Sequence, residues 1–262
     1  MSSCTGCRLA FRSPLARPFG YDGGMDAQPV VTAKPKRRRL QFSLATLLLL
    51  TLVCAVVLAL FVAPKARQRR AVAYVESVNG RVEYVDAGDD AAHAPAWLRE
   101  WLGPDYFRSV RVVELSETRV SDAGLAQLEG LTALEALHLY ETPVSDAGLS
   151  QLTGLTALEE LSLDGTQVSD AGLANLKGLR ALAALSLSDT QVSDAGLSHL
   201  KGLTALAEMS LYDTQVSDAG LTHLKGLTAL RWLDLRRTQV SNAGTADLRA
   251  ALPNCSIFPG QF

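Results

Sequence analysis

Short catalytic motifs are missing from this sequence. Its 262 residues contain no glycine-rich phosphate loop, no His-Glu-x-x-His pair and no Gly-x-Ser-x-Gly turn. His199 and His223 hold equivalent positions 24 residues apart, but a zinc site built on them would lack a third protein ligand. We therefore expect no enzyme activity, no cofactor, no metal and no small-molecule substrate.

Cysteine is also scarce, with four residues in the whole chain. Cys4 and Cys7 have the spacing of half a zinc knuckle, yet no second pair of cysteines or histidines follows nearby. Cys54 lies within an apolar run, and Cys255 stands alone near the C-terminus. The pattern disfavours both a disulfide framework and a zinc knuckle, and it leaves the cellular compartment open.

Charge is absent from residues 40–64, a run of 25 residues of which fifteen are Leu, Val or Phe. A helix of this length would rise about 36 Å, enough to cross a hydrocarbon core of about 30 Å. The run has no polar face and lies between basic clusters, which disfavours a buried core helix. It is also too long for the apolar region of a cleaved signal peptide. We expect a single, uncleaved transmembrane helix at 40–64.

The net charge of −2 hides an uneven distribution of charge. Residues 1–70 carry twelve Lys or Arg against two acidic residues, whereas residues 71–262 carry thirteen against 25. Five basic residues lie within fifteen residues of the apolar run on its N-terminal side, and four on its C-terminal side. The positive-inside rule then favours, by a narrow margin, a cytoplasmic N-terminus and a C-terminal region outside the cytoplasm.

The first 39 residues are rich in Arg, Pro, Gly and Ser and lack periodic apolar residues. This composition predicts a disordered, basic N-terminal segment. Met25 offers an alternative start of translation, because the residues before it have neither signal-peptide nor domain character. The intact mass of the purified protein would distinguish a start at Met1 from a start at Met25.

The C-terminal region repeats itself. The octapeptide TQVSDAGL occurs unchanged at 166–173, 190–197 and 214–221. One serine sets the register of six copies spaced 24 residues apart: Ser121, Ser145, Ser169, Ser193, Ser217 and Ser241. A catalytic group is needed only once, so verbatim repetition favours a surface built by stacking one small unit. A period in this range is typical of solenoid proteins.

Each unit contains the signals of one strand and one short helix. In residues 130–153 the pattern LxxLxL alternates as in a strand with one apolar face, and leucines at helical spacing follow it. Ser145 is well placed as a helix N-cap, and Asp146 follows it at the positive end of the helix. The glycine in the first helical turn lowers helix propensity, and its recurrence in every copy suggests that neighbouring coils approach closely there.

A second glycine recurs where each helix should end, and we expect it to adopt the left-handed conformation. Its copies are Gly130, Gly154, Gly178, Gly202 and Gly226. One unit cannot fold alone, because about six buried apolar side chains offset only part of the backbone entropy that 24 ordered residues lose. Stability must therefore come from contacts between adjacent coils.

The repeated pattern LxxLxLxxTxVSDAGLxxLxGL resembles that of leucine-rich repeat proteins, in particular the ribonuclease-inhibitor-like and F-box-associated branches. The resemblance covers about residues 110–258. Together with the uncharged run, the chain also resembles bacterial membrane-anchored repeat proteins. The resemblance implies an α/β solenoid, with a parallel sheet on the concave face, helices on the convex face, and protein binding as the usual role. Two departures are a threonine in place of the usual Asn or Cys after the strand, and the shorter unit.

These signals divide the chain into five parts. The disordered segment at 1–39 and the transmembrane helix at 40–64 precede a juxtamembrane helix and N-terminal cap at 65–109. Within that cap we expect a helix near 66–78, a strand near 81–85 and an aromatic helix around Trp97 and Trp101. About six repeats follow at 110–252, and residues 253–262 form a C-terminal cap strand and tail.

Residues between the inward leucines of each strand should point out from the sheet and form a protein-binding concave face. We expect a membrane-anchored binding module, and the acidic character of the face argues against nucleic acid as a partner. Two alternatives stay open: a structural envelope or surface scaffold, and a regulator that holds a basic enzyme. The candidate face consists of Glu114, His138, Tyr140, Asp164, Asp189, Tyr212, Asp213, Trp232, Asp234, Arg236 and Arg237.

Overall fold

The computed structural model describes residues 43–57, 63–85, 100 and 108–260. Several expectations lie outside these ranges. They concern the segment at 1–39, the Cys4 and Cys7 pair, both ends of the 40–64 run, and the aromatic helix around Trp97 and Trp101.

The first described helix, α1, runs from Leu44 to Val57 inside the uncharged stretch. Its fourteen residues rise about 21 Å, and leucine and valine side chains around it are exposed. Among the residues that the structure describes, no helix combines the length and the apolar character needed to cross a membrane.

Eight strands form one sheet in the order of the chain. The first strand pairs antiparallel with the second, and all later neighbours are parallel. The expected parallel sheet of an α/β repeat solenoid is therefore confirmed. The strands are β1 Arg81–Val85, β2 Ser109–Glu114, β3 Ala136–His138, β4 Glu160–Ser162, β5 Ala184–Ser186, β6 Glu208–Ser210, β7 Trp232–Asp234 and β8 Ser256–Phe258.

The register between parallel strands follows the 24-residue period, so equivalent residues of successive coils lie side by side. The central residue of each three-residue strand points into the core and is buried, as is Val113 in β2. These residues form a continuous apolar row: Val113, Leu137, Leu161, Leu185, Met209, Leu233 and Ile257. Leucines from the opposite side of each coil complete a core shared by all coils.

The helical side of each coil is shorter than a regular helix. Five helices of a single turn each have the sequence DAGL: α3 Asp122–Leu125, α4 Asp146–Leu149, α5 Asp170–Leu173, α6 Asp194–Leu197 and α7 Asp218–Leu221. In four coils a 3₁₀ segment follows: η1 Ala126–Gly130, η2 Ser150–Leu152, η3 Ala174–Gly178 and η4 Ser198–Gly202.

The spacing of the leucines explains this change of helix type. Leu149, Leu152 and Leu155 recur every third residue, and all three are fully buried. In a 3₁₀ helix, with three residues per turn, side chains at i and i+3 lie on one line. Three-residue spacing therefore keeps every leucine on the core side, whereas an α-helix of 3.6 residues per turn would rotate them away.

Neighbouring coils are joined by a hydrogen-bonded pair of polar side chains. The Ser169 N–H donates to Asp146 Oδ1 at 2.8 Å, and the Ser169 hydroxyl donates to Asp146 Oδ2 at 2.6 Å. The same serine accepts a bond from the Ala171 N–H at 3.4 Å, so the expected N-cap is confirmed here and in the other coils from Ser145 to Ser241, whereas the side chain of Ser121 makes no cap bond. We call each such pair a staple; the five staples are Asp122–Ser145, Asp146–Ser169, Asp170–Ser193, Asp194–Ser217 and Asp218–Ser241.

The staple explains the glycine in the first helical turn. A Cβ atom at Gly172 would lie 2.3 Å from Asp146 Oδ1, much closer than real Cβ contacts. Equivalent clashes would occur at Gly148, Gly196, Gly220 and Gly244. The close approach of coils expected at this position is confirmed, and the atom approached is a carboxylate oxygen of the preceding coil.

The expectation of a left-handed glycine at each helix end is wrong. Gly130 and its equivalents do not have a positive φ, and a Cβ atom at Gly178 would meet nothing within 4 Å. The left-handed residue instead comes three residues after the end of the strand, where the chain turns off the sheet. It is glycine only once among six coils: Glu117, Glu141, Gly165, Asp189, Asp213 and Arg237, with φ between 52° and 66°.

The threonine that follows each strand from β2 to β7 has a structural role where the chain leaves the sheet. The Thr142 hydroxyl donates to the Leu139 carbonyl at 2.7 Å, and this threonine is buried. The same bond, from threonine to the carbonyl three residues earlier, recurs in every coil from Thr118 to Thr238. It satisfies a buried backbone carbonyl where the chain leaves the sheet.

The first coil is covered by helix α2, Ala63–Ser77, and by strand β1. Ala71 and Val75 on this helix are completely buried against the leucine core. The last coil has a longer helix than the others, α8 Asn242–Ala251, followed by the edge strand β8. Leu248 and Leu252 bury the apolar side of α8.

Candidate protein-binding face

The outward side chains of the parallel strands form four rows, which together we call the open face. In each coil, row one is the residue before the inward, buried residue of the strand, and row two is the residue after it. Row three lies two positions after row two. Row four is the left-handed residue that follows row three. Row one is Val112, Ala136, Glu160, Ala184, Glu208, Trp232 and Ser256; row two is Glu114, His138, Ser162, Ser186, Ser210, Asp234 and Phe258. Row three runs from Ser116 through Tyr140, Asp164, Ser188 and Tyr212 to Arg236.

Small hydroxyl side chains occupy the centre of the open face. We call Ser162, Ser186, Ser188 and Ser210 the serine floor. The carboxylate of Asp164 accepts bonds from the Ser188 N–H at 2.7 Å, from the Ser162 hydroxyl at 3.0 Å and from the Ser186 hydroxyl. The Ser188 and Ser210 hydroxyl oxygens lie 2.8 Å apart. Hydrogen bonds among its own residues therefore hold the serine floor in place, and Asp164 is the acceptor of three of them.

Tyr212 and two arginines form a cluster at the C-terminal side of the floor. The guanidinium carbons of Arg236 and Arg237 lie 5.6 and 5.5 Å from the centre of the Tyr212 ring, within the range of cation–π attraction. Arg237 also donates to the Tyr212 hydroxyl at 3.0 Å and pairs with Asp213 at 3.0 Å. These contacts hold the half-buried tyrosine in one orientation.

Asp234 is a buried support for this cluster rather than an accessible contact, since only 2% of it is exposed. It accepts bonds from Arg236 Nη2 at 2.6 Å and from Arg236 Nε at 2.9 Å. Burial by itself would raise the pKa of Asp234, but the hydrogen bonds and the charge of Arg236 outweigh burial and lower the pKa. The carboxylate therefore stays ionised and fixes the guanidinium of Arg236 on the face.

Trp232 and Phe258 form an aromatic pair beside this cluster. Their ring centres lie 5.8 Å apart with planes tilted by 50°, and 43% of Phe258 is exposed. Sequence reasoning had assigned Phe258 to the cap alone. Its place on the face could have been found by carrying the register of the repeat one strand further, because Phe258 lies beside Asp234 in row two.

Glu160 and Glu208 are also members of the face that sequence reasoning missed. They lie in row one, on the same side of the sheet as Trp232, and both are exposed. The signal was available, because side chains alternate along a strand and the position before each inward leucine must also point outward. At this position the predicted face included Trp232 alone.

Negative charge is concentrated on row four. The Tyr140 hydroxyl donates to Glu141 Oε1 at 2.6 Å, and this bond raises the pKa of Tyr140, with further contributions from the charges of Glu141 and Glu117. Burial raises the pKa of Asp189, and the neighbouring charge of Asp213 raises it further, while Arg237 acts in the opposite direction. Both shifts indicate a negative potential over this part of the face.

The structure brings six of the predicted site residues together at the C-terminal end of the face. These are Tyr212, Asp213, Trp232, Asp234, Arg236 and Arg237. Asp189 adjoins them on the preceding coil, beside Asp213, and Asp164 accepts the hydrogen bonds of the serine floor. Glu114, His138 and Tyr140 lie on the first coils, at the other end of the face. In the described part of the chain, no group of three or more His, Cys, Asp or Glu side chains could hold a metal ion.

Comparisons with known proteins add structural neighbours. No family model matches the chain, and no curated protein matches it. Internalin C2 from Listeria monocytogenes 4b F2365 is similar, with 27% identity and a TM-score of 0.45 over 56% of this chain and 70% of that one. An internalin, InlF, of the same strain has 23% identity and a TM-score of 0.44 over 57% of this chain and 47% of that one. A leucine-rich repeat protein of Leptospira interrogans has 23% identity and a TM-score of 0.42 over 50% of this chain and 33% of that one.

The fold is that of a leucine-rich repeat protein. Strand–helix units of 24 residues, stacked in register into one parallel sheet around a leucine core, define this class. The chain spans less than half the length of the second and third structures it matches.

Proposed function

We propose that this protein is a binding module that recognises another protein through the open face. The supporting observation is the cluster of Tyr212, Trp232, Arg236, Arg237 and Phe258 at one end of that face, in which the arginines and Phe258 are exposed and the other two rings are half-buried. Trp, Tyr and Arg are the residues that most often carry the binding energy of protein interfaces. Here they are held by buried or hydrogen-bonded partners, so little side-chain entropy would be lost on binding.

The proposal includes no catalytic step. Serine–aspartate pairs are the most suggestive catalytic groups in the chain, and five of them are committed to staples between coils. Nucleic acid is a poor partner for this face, because Glu160, Glu208 and the acidic residues of row four would repel phosphates.

A structural scaffold that grows by stacking coil on coil is less well supported than binding. Such growth needs an open edge strand, and β8 is poorly suited to pairing. Pro253 and Pro259 flank it, and the Arg249 guanidinium donates to the Ile257 carbonyl at 3.1 Å. Prolines and charged side chains are the means by which edge strands avoid pairing with other chains.

We further propose that residues 40–64 anchor the protein in a bilayer. The support is the uncharged sequence of this run and the many leucine and valine side chains that α1 exposes. With a cytoplasmic N-terminus, the repeats would lie outside the cytoplasm. A C-terminal tag should then be cleaved by protease added to cells stripped of their outer layers, while cytoplasmic control proteins survive. Protection of the tag until the inner membrane is broken would reverse the proposed orientation.

Site-specific photo-crosslinking in the native host tests the binding function. A photoreactive phenylalanine analogue replaces Tyr140 or Tyr212 on the open face, and Gln151 on the helical side as the control. All three side chains are substantially solvent-accessible. We expect one protein to be captured from the face positions and not from Gln151, and the adduct to disappear when Trp232→Ala is added. Equal adducts from all three positions, or none from the face, would contradict the proposal.

A further inference from the structure

The open face carries acidic groups along both of its long sides. Glu160 and Glu208 in row one form what we call the first rim. Glu141, Asp189 and Asp213 in row four form the second rim. Among the described residues, Asp213 has an ion pair, with Arg237, whereas no ion pair within 4 Å reaches the other four. Most of the rim charge is therefore not neutralised by the protein itself.

Between the rims lies the serine floor, where side chains are short. Asp189 and Asp213 stand on adjacent coils, about 4.8 Å apart along the sheet, and Glu160 and Glu208 stand two coils apart, about 9.6 Å. The five residues from Glu160 to Asp164, four steps of about 3.3 Å when extended, span about 13 Å. One extended polypeptide has room to lie across the coils on this floor.

Aromatic side chains close the floor at its two ends. Tyr140 stands on the coil before it, and Tyr212 and Trp232 stand at its other end. The aliphatic stem of a lysine or arginine packs well on the Tyr140 ring, while its charged end reaches a carboxylate of the rims. The Tyr212 ring already holds Arg236 and Arg237 and closes the floor at its other end. An apolar helix fits poorly, because the floor between these rings is polar.

We propose that the partner docks an extended segment bearing lysine or arginine residues on the serine floor, with its cations between the two rims. This inference rests on the proposed binding function and specifies the chemistry of the partner. The charges of the rims and of the segment are complementary. The raised pKa values of Tyr140 and Asp189 agree with it, since a cation placed between the rims would relieve the repulsion that contributes to them.

Peptide binding to the full-length protein in detergent micelles tests this inference. The probe is a short fluorescent peptide of alternating lysine and serine, and its glutamate–serine counterpart is the comparison. Fluorescence anisotropy should show binding of the lysine peptide alone. Affinity should fall steeply as salt rises to physiological strength, where the Debye length is about 8 Å. Equal binding of both peptides, or no binding of the lysine peptide, would overturn the inference.

A matched pair of double variants separates a docking site from general attraction to an acidic protein. Glu208→Gln with Asp189→Asn removes one charge from each rim. Glu129→Gln with Asp247→Asn removes the same charge from exposed positions on the helical side. We expect the rim variant to weaken binding of the lysine peptide at least about tenfold and the control less than about twofold. Equal weakening in both variants would show that only net charge matters.

The photo-crosslinking experiment distinguishes a failure of this inference from a failure of the proposed binding function. Mass spectrometry of the adduct at Tyr212 identifies the partner's contact segment. A lysine- or arginine-bearing segment agrees with the inference. A neutral or acidic segment, captured in a Trp232-dependent way, would leave the binding function standing and refute its cationic chemistry.

Discussion

At the scale of single residues, one glycine in each coil is required by a carboxylate of the coil before it. The Asp146 carboxylate must lie close to the backbone at Gly172 in order to hold both the N–H and the hydroxyl of Ser169. A side chain at Gly172 would displace the Asp146 carboxylate, whose two oxygens each accept a hydrogen bond from Ser169. Sequence reasoning anticipated the close approach but not the carboxylate, since the bond joins residues 23 apart.

Replacing Gly172 by alanine should destabilise the fold through this contact. We expect the free energy of unfolding to fall by about 1–3 kcal/mol, the usual cost of overpacking. Gly178→Ala is the matched control, because a Cβ atom there meets nothing within 4 Å and φ is not positive. That variant should be neutral or more stable by up to about 1 kcal/mol. Urea unfolding followed by circular dichroism measures both, and equal effects would contradict the role of the staple.

Replacing Asp189 by asparagine should stabilise the protein at neutral pH. Burial and the charge of Asp213 raise the folded-state pKa of Asp189 above 3.8, so the ionised carboxylate is disfavoured in the folded state. This cost is fully present above the folded-state pKa and disappears as the pH falls below 3.8.

The stability gain of Asp189→Asn should therefore shrink on acidification. Urea midpoints of both proteins, measured from pH 7 down to pH 3, provide the test. Any gain that comes from the preference of asparagine for the left-handed φ of 54° does not depend on pH, and so is separated from the charge effect. A difference between the two midpoints that is constant with pH would contradict the charge explanation.

Conformational preferences of single residues were the least predictable feature from sequence. Glycines at the helix ends suggested a left-handed conformation, yet that conformation falls three residues after the end of each strand from β2 to β7. One glycine at that place, Gly165, and two aspartates, Asp189 and Asp213, were the available signal, because Gly, Asp and Asn tolerate positive φ best. Glu117, Glu141 and Arg237 at the same place obscured it.

At the scale of elements, the strands could be placed from sequence because their inward leucines recur with the period of the repeat. The helical side was harder. Leucines three residues apart fit one turn of α-helix almost as well as a 3₁₀ helix over a short segment. The difference grows with length, and only the full series from Leu149 through Leu152 and Leu155 to Leu158 shows a strict period of three.

Strand β8 offers a test of edge protection. The Arg249 guanidinium donates a hydrogen bond to the Ile257 carbonyl. A further strand pairing with β8 would need this carbonyl as an acceptor. Arg249→Ala should therefore increase self-association, seen as a larger sedimentation coefficient at high protein concentration. Arg180→Ala removes the same charge from an exposed turn and should leave the sedimentation unchanged. If neither variant differs from the parent protein in sedimentation coefficient, Arg249 has no protective role.

At the scale of the whole molecule, stability is a sum over neighbouring coils, because each coil buries its leucines against the next. The class of repeat protein could be inferred from sequence through the solenoid pattern. The candidate site could be only partly inferred, since its contacts join different coils. Trp232 and Phe258, or Tyr212 and Arg237, become neighbours only once the coils are stacked in register.

Removal of one full coil should leave a folded protein. Deletion of residues 170–193, 24 residues, joins Ser169 to Asp194 and restores the repeated sequence at the junction. We expect unchanged ellipticity per residue in the far ultraviolet and a lower melting temperature, because one coil interface is lost. Deletion of residues 171–193 removes 23 residues and breaks the register, so that variant should lose cooperative melting. Similar melting of both variants would contradict nearest-neighbour stability.

The staple between coils has a direction, because each aspartate serves only the coil that follows it. The series stops at Ser241, where Asn242 stands in the position that an aspartate holds in the earlier coils. Any internal coil can therefore be joined to another internal coil through the same staple. The last coil has no equivalent aspartate for a coil that would follow it. A gene of this kind can gain or lose whole coils by unequal recombination among its own repeats, and every product inherits working junctions. The octapeptide TQVSDAGL, identical in three coils, is the trace that such events would leave.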